Sequence, residues 1–217
     1  MPVDVTSTGA RIWLVEIMTG AGLAYVEVTG PEEPRFLMVL THGAGGTPQT
    51  SDVLAARDAA LILGGSVALV TQPYRVKGAR APGSAVKQDA AWAEIVAALA
   101  PRDVQLVQGG RSNGARVACR TAAVTGARGV LALAFPLHPP GHPERSRAGE
   151  LRQARDAGAN VLVLNGQNDP FGVPDSEDAD RVVVLAGQTH ALSKDPAVIS
   201  AEVVSWLREA VLSRDGS

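Results

Sequence analysis

The 217-residue chain has almost no charge imbalance, a single cysteine and no long apolar run, and each shortage removes a class of protein. Lysine and arginine number 20 against 22 aspartates and glutamates, a formal net charge of −2. Without a basic excess there is no long-range field to gather phosphate backbones, so nucleic acid is not an expected partner. Cys119 has no second cysteine to pair with. It falls in a stretch of small apolar residues with helical character and reads as a buried, inert thiol. No apolar run approaches the length needed to cross a bilayer, and residues 1–11 show neither a basic nor an apolar leader pattern. A cytoplasmic protein without membrane contact is the expectation.

What is present is core-forming material. Hydrophobic residues make up 46% of the chain and charged residues 19%, enough apolar surface to offset ordering entropy in one domain spanning residues 1–217. Short Val- and Leu-rich runs at 36–41, 66–71, 104–108, 130–135, 161–165 and 182–185 read as strands buried on both faces. Between them lie stretches with helical spacing: Trp92, Ile95, Val96 and Leu99 share one face, as do Ile199, Val203, Trp206 and Ala210. The alternation predicts an α/β fold with a mostly parallel central sheet and helices on both faces. Ser84 and Asp195, the latter followed by Pro196, are candidate N-caps, and Gly64 and Gly126 sit where helices should stop. The runs 12–17 and 23–28 resemble an antiparallel hairpin at the sheet edge, placing an edge hairpin within residues 1–35. Residues 136–149, rich in Pro, Arg and Gly, read as a short cap loop over one end of the sheet.

The chemistry concentrates where the 104–108 run enters Gly110-Arg111-Ser112-Asn113-Gly114 and a helical stretch follows. Strand, sharp turn and helix form a nucleophile elbow: glycines two before and two after the serine let backbones pack closely while the serine is held above the sheet. The helix N-terminus behind Ser112 favours a developing oxyanion. A serine hydroxyl needs a base, and the base an orienting acid. Of the four histidines, His42 and His138 come too early in the chain and His142 lies in the Pro-rich loop. His190, after the last strand run and before the final helix, is the candidate base. Asp169, just beyond the 161–165 run, is the candidate acid, with Asp175, Glu177 and Asp178 as rivals whose density of like charge reads more simply as a solvated loop. Asn113 supplies one expected oxyanion amide and Ala44 the other, with Gly43 as the neighbouring candidate; His42 is expected to hold that loop by hydrogen bonds.

These residues resemble the α/β-hydrolase superfamily, and within it the small dienelactone-hydrolase-like group related to the testis-expressed 30 and NSL-complex subunit 3 hydrolase-like domains. The resemblance runs from about Phe36 to Leu212 through THGAGG at 41–46, QPYRVKGARAPG at 72–83, GGRSNGAR at 109–116, FPLHPPGHPER at 135–145, NGQNDPFG at 165–172 and GQTHAL at 187–192. The order Ser112, Asp169, His190 is the order of that superfamily. Asn113 departs from the subgroup, where an apolar residue such as methionine is expected. The resemblance implies a serine hydrolase acting on a carboxylic ester or thioester, the alternatives being an acyltransferase with the same triad or a non-catalytic interaction module retaining the fold.

No insertion before Asp169 is long enough for a large lid, which disfavours a long-chain lipase. Arg75, Lys77, Arg80, Arg111, Arg145 and Arg147 lie on segments leaving the carboxyl ends of strand runs, where open α/β sheets bind ligands. Arg75 and Arg111 are the candidate substrate-binding residues, for an anionic acyl group, with solvated surface charge as the alternative. His138 and His142 lack a matching ligand cluster, so neither metal nor organic cofactor is expected. The partner implied is a small-molecule acyl substrate.

Overall fold

The computed structural model describes residues 3–4, 11–100 and 103–213. Of residues 1–11, read above for a leader pattern, only 3–4 and 11 are among them. Among the described residues the sheet has nine strands. β1 (Val3–Asp4), β2 (Arg11–Thr19) and β3 (Gly22–Gly30) run antiparallel to their neighbours, and β3 pairs antiparallel with β5 (Ser66–Thr71). From β5 onward β4 (Phe36–Thr41), β6 (Gln105–Arg111), β7 (Gly129–Leu133), β8 (Asn160–Gly166) and β9 (Arg181–Leu185) pair in parallel. The edge hairpin is therefore present. It is longer than the alternation suggested because all nine residues of β2 find partners on β3.

Strand periodicity divides the core. Phe36, Met38 and Leu40 join a cluster under α1 (Ser51–Ile62) and α6 (Pro196–Trp206), while Leu37 and Val39 point to the opposite face, beneath α3 (Ala85–Leu99). α4 (Asn113–Thr125) and α5 (Ala148–Asp156) complete that second layer, with Cys119 fully buried there. Burial pushes the Cys119 thiol far above its usual range. A four-residue turn of helix, α2 (Pro73–Val76), follows β5, and a π-helical turn, Leu207–Leu212, extends α6. Buried Gln108 joins the layers: its Nε2 donates to the Ala118 carbonyl (2.6 Å) and its Oε1 accepts from Trp92 Nε1 (3.0 Å).

The expected caps are in place. Ser84 and Asp195 side chains accept from the amides of Lys87 and Val198. Gly126 closes α4 in the left-handed region at φ 66°, where an added Cβ would touch nothing. Gly126→Ala therefore tests backbone conformation alone: we expect a loss of about 1 kcal/mol, seen as a thermal midpoint lowered by about 2–4 °C in circular dichroism.

Two expectations are corrected. β9 is not buried on both faces: Val184 is 49% exposed, because the strand forms the sheet margin and pairs on one side. Residues 136–149 are not wholly loop, since α5 begins at Ala148. Among the described residues no helix is long and apolar enough to cross a membrane.

Candidate active site

β6 ends at Arg111 and α4 begins at Asn113, so one residue makes the turn. Ser112 does so at φ 53° and ψ −111°, a sparsely populated conformation for a residue with a side chain, costing about 1–3 kcal/mol. The flanking glycines follow from close packing. A Cβ on Gly110 would lie 2.5 Å from the Thr41 carbonyl oxygen, and one on Gly114 would lie 2.8 Å from that of His42. Only bare backbone lets α4 start this near the end of β4. The Ser112 amide donates to the Leu133 carbonyl (2.8 Å), fixing the turn against β7.

His190 faces the hydroxyl. Its Nε2 lies 2.9 Å from Ser112 Oγ, and its Nδ1 lies 2.8 Å from Asp169 Oδ2. A carboxylate can only accept here, so Nδ1 carries the proton and Nε2 is free to accept from the serine. The Asp169 side chain is fully buried; its Oδ1 accepts from the Phe171 amide (2.9 Å), leaving Oδ2 for the histidine. The Phe171 ring packs on the imidazole at 4.4 Å between centroids. Gly166 brings the two loops together, since a Cβ there would fall 2.5 Å from the Thr189 carbonyl oxygen.

Of the oxyanion candidates, one is placed directly at the nucleophile. Gly43 sits against the nucleophile: a Cβ placed on it would be 3.3 Å from Ser112 Cβ. Its carbonyl is held by the Gly46 amide (3.1 Å) and His42 Nδ1 (2.8 Å). His42 Nε2 accepts from the Gln72 amide (3.1 Å), so Nδ1 is the protonated nitrogen that donates to Gly43, and burial lowers the pKa of this neutral ring. With the Gly43 carbonyl turned into its own loop, the trans peptide points the Ala44 N–H the opposite way. Asn113 opens α4, whose first-turn amides receive no bond from the Ser112 side chain at the cap position.

Arg75 and Arg111 are turned inward. Arg75 donates to the carbonyls of Gly46 (3.0 Å) and Ala79 (2.9 Å), bracing the 43–46 loop. Arg111 Nη2 donates to the His190 carbonyl (2.7 Å), and its Nε lies 3.0 Å from Oδ2 of Asp52, a completely buried carboxylate in the first turn of α1. Both guanidiniums thus brace the scaffold, and Arg111 Nη1 lies 3.6 Å from a Cβ placed on Gly43, on the nucleophile's side of that loop. Of the rival acids, Asp178 is not solvated: it is buried and paired with Arg152 at 2.7 Å. His138 Nδ1 meets the Pro139 carbonyl and His142 an exposed Glu144. Among the described residues no group of three or more His, Cys, Asp or Glu side chains is placed to hold a metal ion.

Sequence reasoning missed Asp52 and Asn165. Asn165 is fully buried at the end of β8, where its Oδ1 accepts from the Phe135 amide (2.8 Å) and its Nδ2 donates to the Phe135 carbonyl (3.0 Å) and reaches Asp169 Oδ2 (3.5 Å). An asparagine closing an otherwise apolar strand run was the available signal.

Residues 34–192 match the family model described as an alpha/beta hydrolase domain. The chain belongs to that family. No curated protein sequence matches it. Among solved structures, this α/β-hydrolase is similar to a dienelactone hydrolase from Anabaena variabilis (14% identity, 93% of this chain and 99% of that one, TM-score 0.73). An alpha-beta serine hydrolase homologue from Coxiella burnetii (17%, 94% and 100%, TM-score 0.71) is also similar. So is an a/b serine hydrolase without lid from Xanthomonas campestris (19%, 95% and 97%, TM-score 0.67). At these identities the likeness is one of fold.

Proposed function

We propose that this α/β-hydrolase is a serine hydrolase that cleaves a carboxylic ester or thioester through an acyl-enzyme on Ser112. The reading rests on one observation: His190 spans Ser112 and Asp169 with 2.9 Å and 2.8 Å contacts, one from each ring nitrogen. In the first step His190 Nε2 takes the hydroxyl proton as Oγ attacks the acyl carbonyl. The amides of Asn113 and Ala44 receive the oxygen's negative charge, and each such donor contributes about 3 kcal/mol to the transition state. The imidazolium, oriented by Asp169, returns its proton to the departing alkoxide or thiolate. Water, deprotonated by the same nitrogen, then releases the acid. The near-neutral net charge and the free, buried Cys119 fit a small-molecule substrate in a reducing, cytoplasmic setting.

The test is labelling of the intact protein with a fluorophosphonate, read by mass and peptide mapping. One adduct on Ser112 is expected, absent in Ser112→Ala and strongly slowed in His190→Ala. A folded wild-type protein that takes no label would move the reading to a non-catalytic module.

A further inference from the structure

Three arginines surround the 43–46 loop that carries one of the expected oxyanion amides. Arg75 Nε donates to the Gly46 carbonyl (3.0 Å), Arg80 Cβ lies 4.0 Å from a Cβ placed on Gly45, and Arg111 Nη1 lies 3.6 Å from one placed on Gly43. Among the described residues, the one carboxylate paired with any of them is Asp52, on Arg111. Arg75 and Arg80 meet no acidic side chain at ion-pair distance. The chain as a whole carries a net charge of −2, so this is a local concentration of positive charge at the place where a substrate carbonyl would be held. Such a field favours an anionic substrate.

The three nitrogens of Arg111 have separate surroundings. Nε is buried and faces Asp52 Oδ2 at 3.0 Å, and Nη2 donates to the His190 carbonyl at 2.7 Å. Nη1 has no hydrogen-bond partner among the described residues and keeps a share of the side chain's 19% exposure. The Cβ placed on Gly43, 3.6 Å from Nη1, is also 3.3 Å from Ser112 Cβ, so the free amino group stands beside the nucleophile. With Nε and Nη2 engaged, neither two-pronged fork of the guanidinium is open. What remains is a charged donor for a single oxygen, which suits a carboxylate. Nη2 of the same guanidinium holds the His190 segment, and a leaving group must depart beside His190 Nε2, which protonates it. An anion that reaches Nη1 from there belongs to the departing alcohol or thiol.

Building on the serine-hydrolase reading, we propose that Arg111 Nη1 selects esters or thioesters whose leaving alcohol or thiol carries a carboxylate. Arg111 then has two tasks, to hold the His190 carbonyl and to receive the substrate's charge. Asp52, buried on the guanidinium's other edge, fixes its orientation for both.

The experiment measures kcat/KM of the full chain on the acetate esters of meta-hydroxybenzoate and of its neutral twin, meta-hydroxybenzamide. The two share an acyl group and differ by a charge on the leaving phenol. A second pair puts the charge on the other side of the carbonyl: the phenyl monoester of adipic acid and its terminal amide. For the wild type we expect the charged leaving group to be preferred by about 10-fold, and the adipate pair to differ by less than about 2-fold. The double variant Arg111→Met, Asp52→Leu removes the cation together with its buried partner and should bring the first ratio to about 1. Lost positioning of His190 lowers both members of a pair alike, so only lost recognition moves the ratio. A wild-type ratio near 1 overturns the proposal if turnover still requires Ser112. So does a preference confined to the charged acyl group, or a ratio that survives in the double variant. Absence of both turnover and a Ser112 adduct removes the serine-hydrolase reading, and the proposal with it.

Discussion

Ser112→Ala is expected to lower kcat/KM for an activated ester by at least about 10⁴-fold while leaving the unfolding midpoint in place or slightly raised. The hydroxyl is the only group the substitution removes. Asp169→Asn is the sharper experiment. An asparagine can keep the Phe171 amide satisfied through its carbonyl oxygen, as Oδ1 does at 2.9 Å, but it then turns an NH₂ group toward His190. The ring must present a lone pair from Nδ1, leaving Nε2 protonated and unable to accept from serine. A loss of about 10⁴-fold with little change in substrate binding follows from this tautomer reversal. Retention of more than a tenth of the wild-type rate would hand the role to another acid, although Asp178, paired with Arg152, has no contact with His190.

Arg111→Met carries the largest stability effect. It leaves the fully buried Asp52 carboxylate without the cation 3.0 Å away. Removing one partner of a buried ion pair typically costs about 3–5 kcal/mol, because the remaining charge is stranded away from water. Urea denaturation should read that loss. Fluorophosphonate labelling should slow as well, since the same guanidinium fixes the His190 carbonyl at 2.7 Å. The double variant Arg111→Met, Asp52→Leu should regain most of the stability but not the labelling rate, which separates the charge from the positioning. A single variant that unfolds at the wild-type urea concentration would show that the pair stabilises nothing.

Where apolar runs were cleanly punctuated, the sequence was easy to read. β4 and β5 begin and end at the residues expected; β4 is buried throughout, and in β5 only the closing Thr71 is half-buried. β6 continues past its expected end because Gly109, Gly110 and Arg111 still pair with β4 or β7. Glycine reads as a turn, but here it marks strands packed too closely for a side chain: a Cβ on Gly109 would collide with the Leu131 carbonyl. Ser112, Asp169 and His190 could be selected by motif and chain order, and the structure brings the three together. Asp52 could not be, since an acid near a helix start is ordinary in sequence and only the distant Arg111 explains its burial. The scaffold contacts of Arg75 and Arg111 were hidden for the same reason. A basic residue at a strand end can face a ligand or grip a loop, and the choice depends on carbonyls contributed from elsewhere in the chain.

The bare backbone approach at Gly166 bears on how such a scaffold can diversify. The 167–169 and 187–190 segments are laced together, Asn168 bonding to the Gln188 carbonyl (2.8 Å) and Gly187 to the Gln167 side chain (3.0 Å). An inserted residue in either would swing His190 or Asp169 out of line. Residues 140–146, by contrast, are exposed and follow β7, the strand between those that lead to the serine and the acid. Extra chain can accumulate there without shifting the reacting groups. Any roof added to this molecule by natural insertion or by engineering should grow from that strand end.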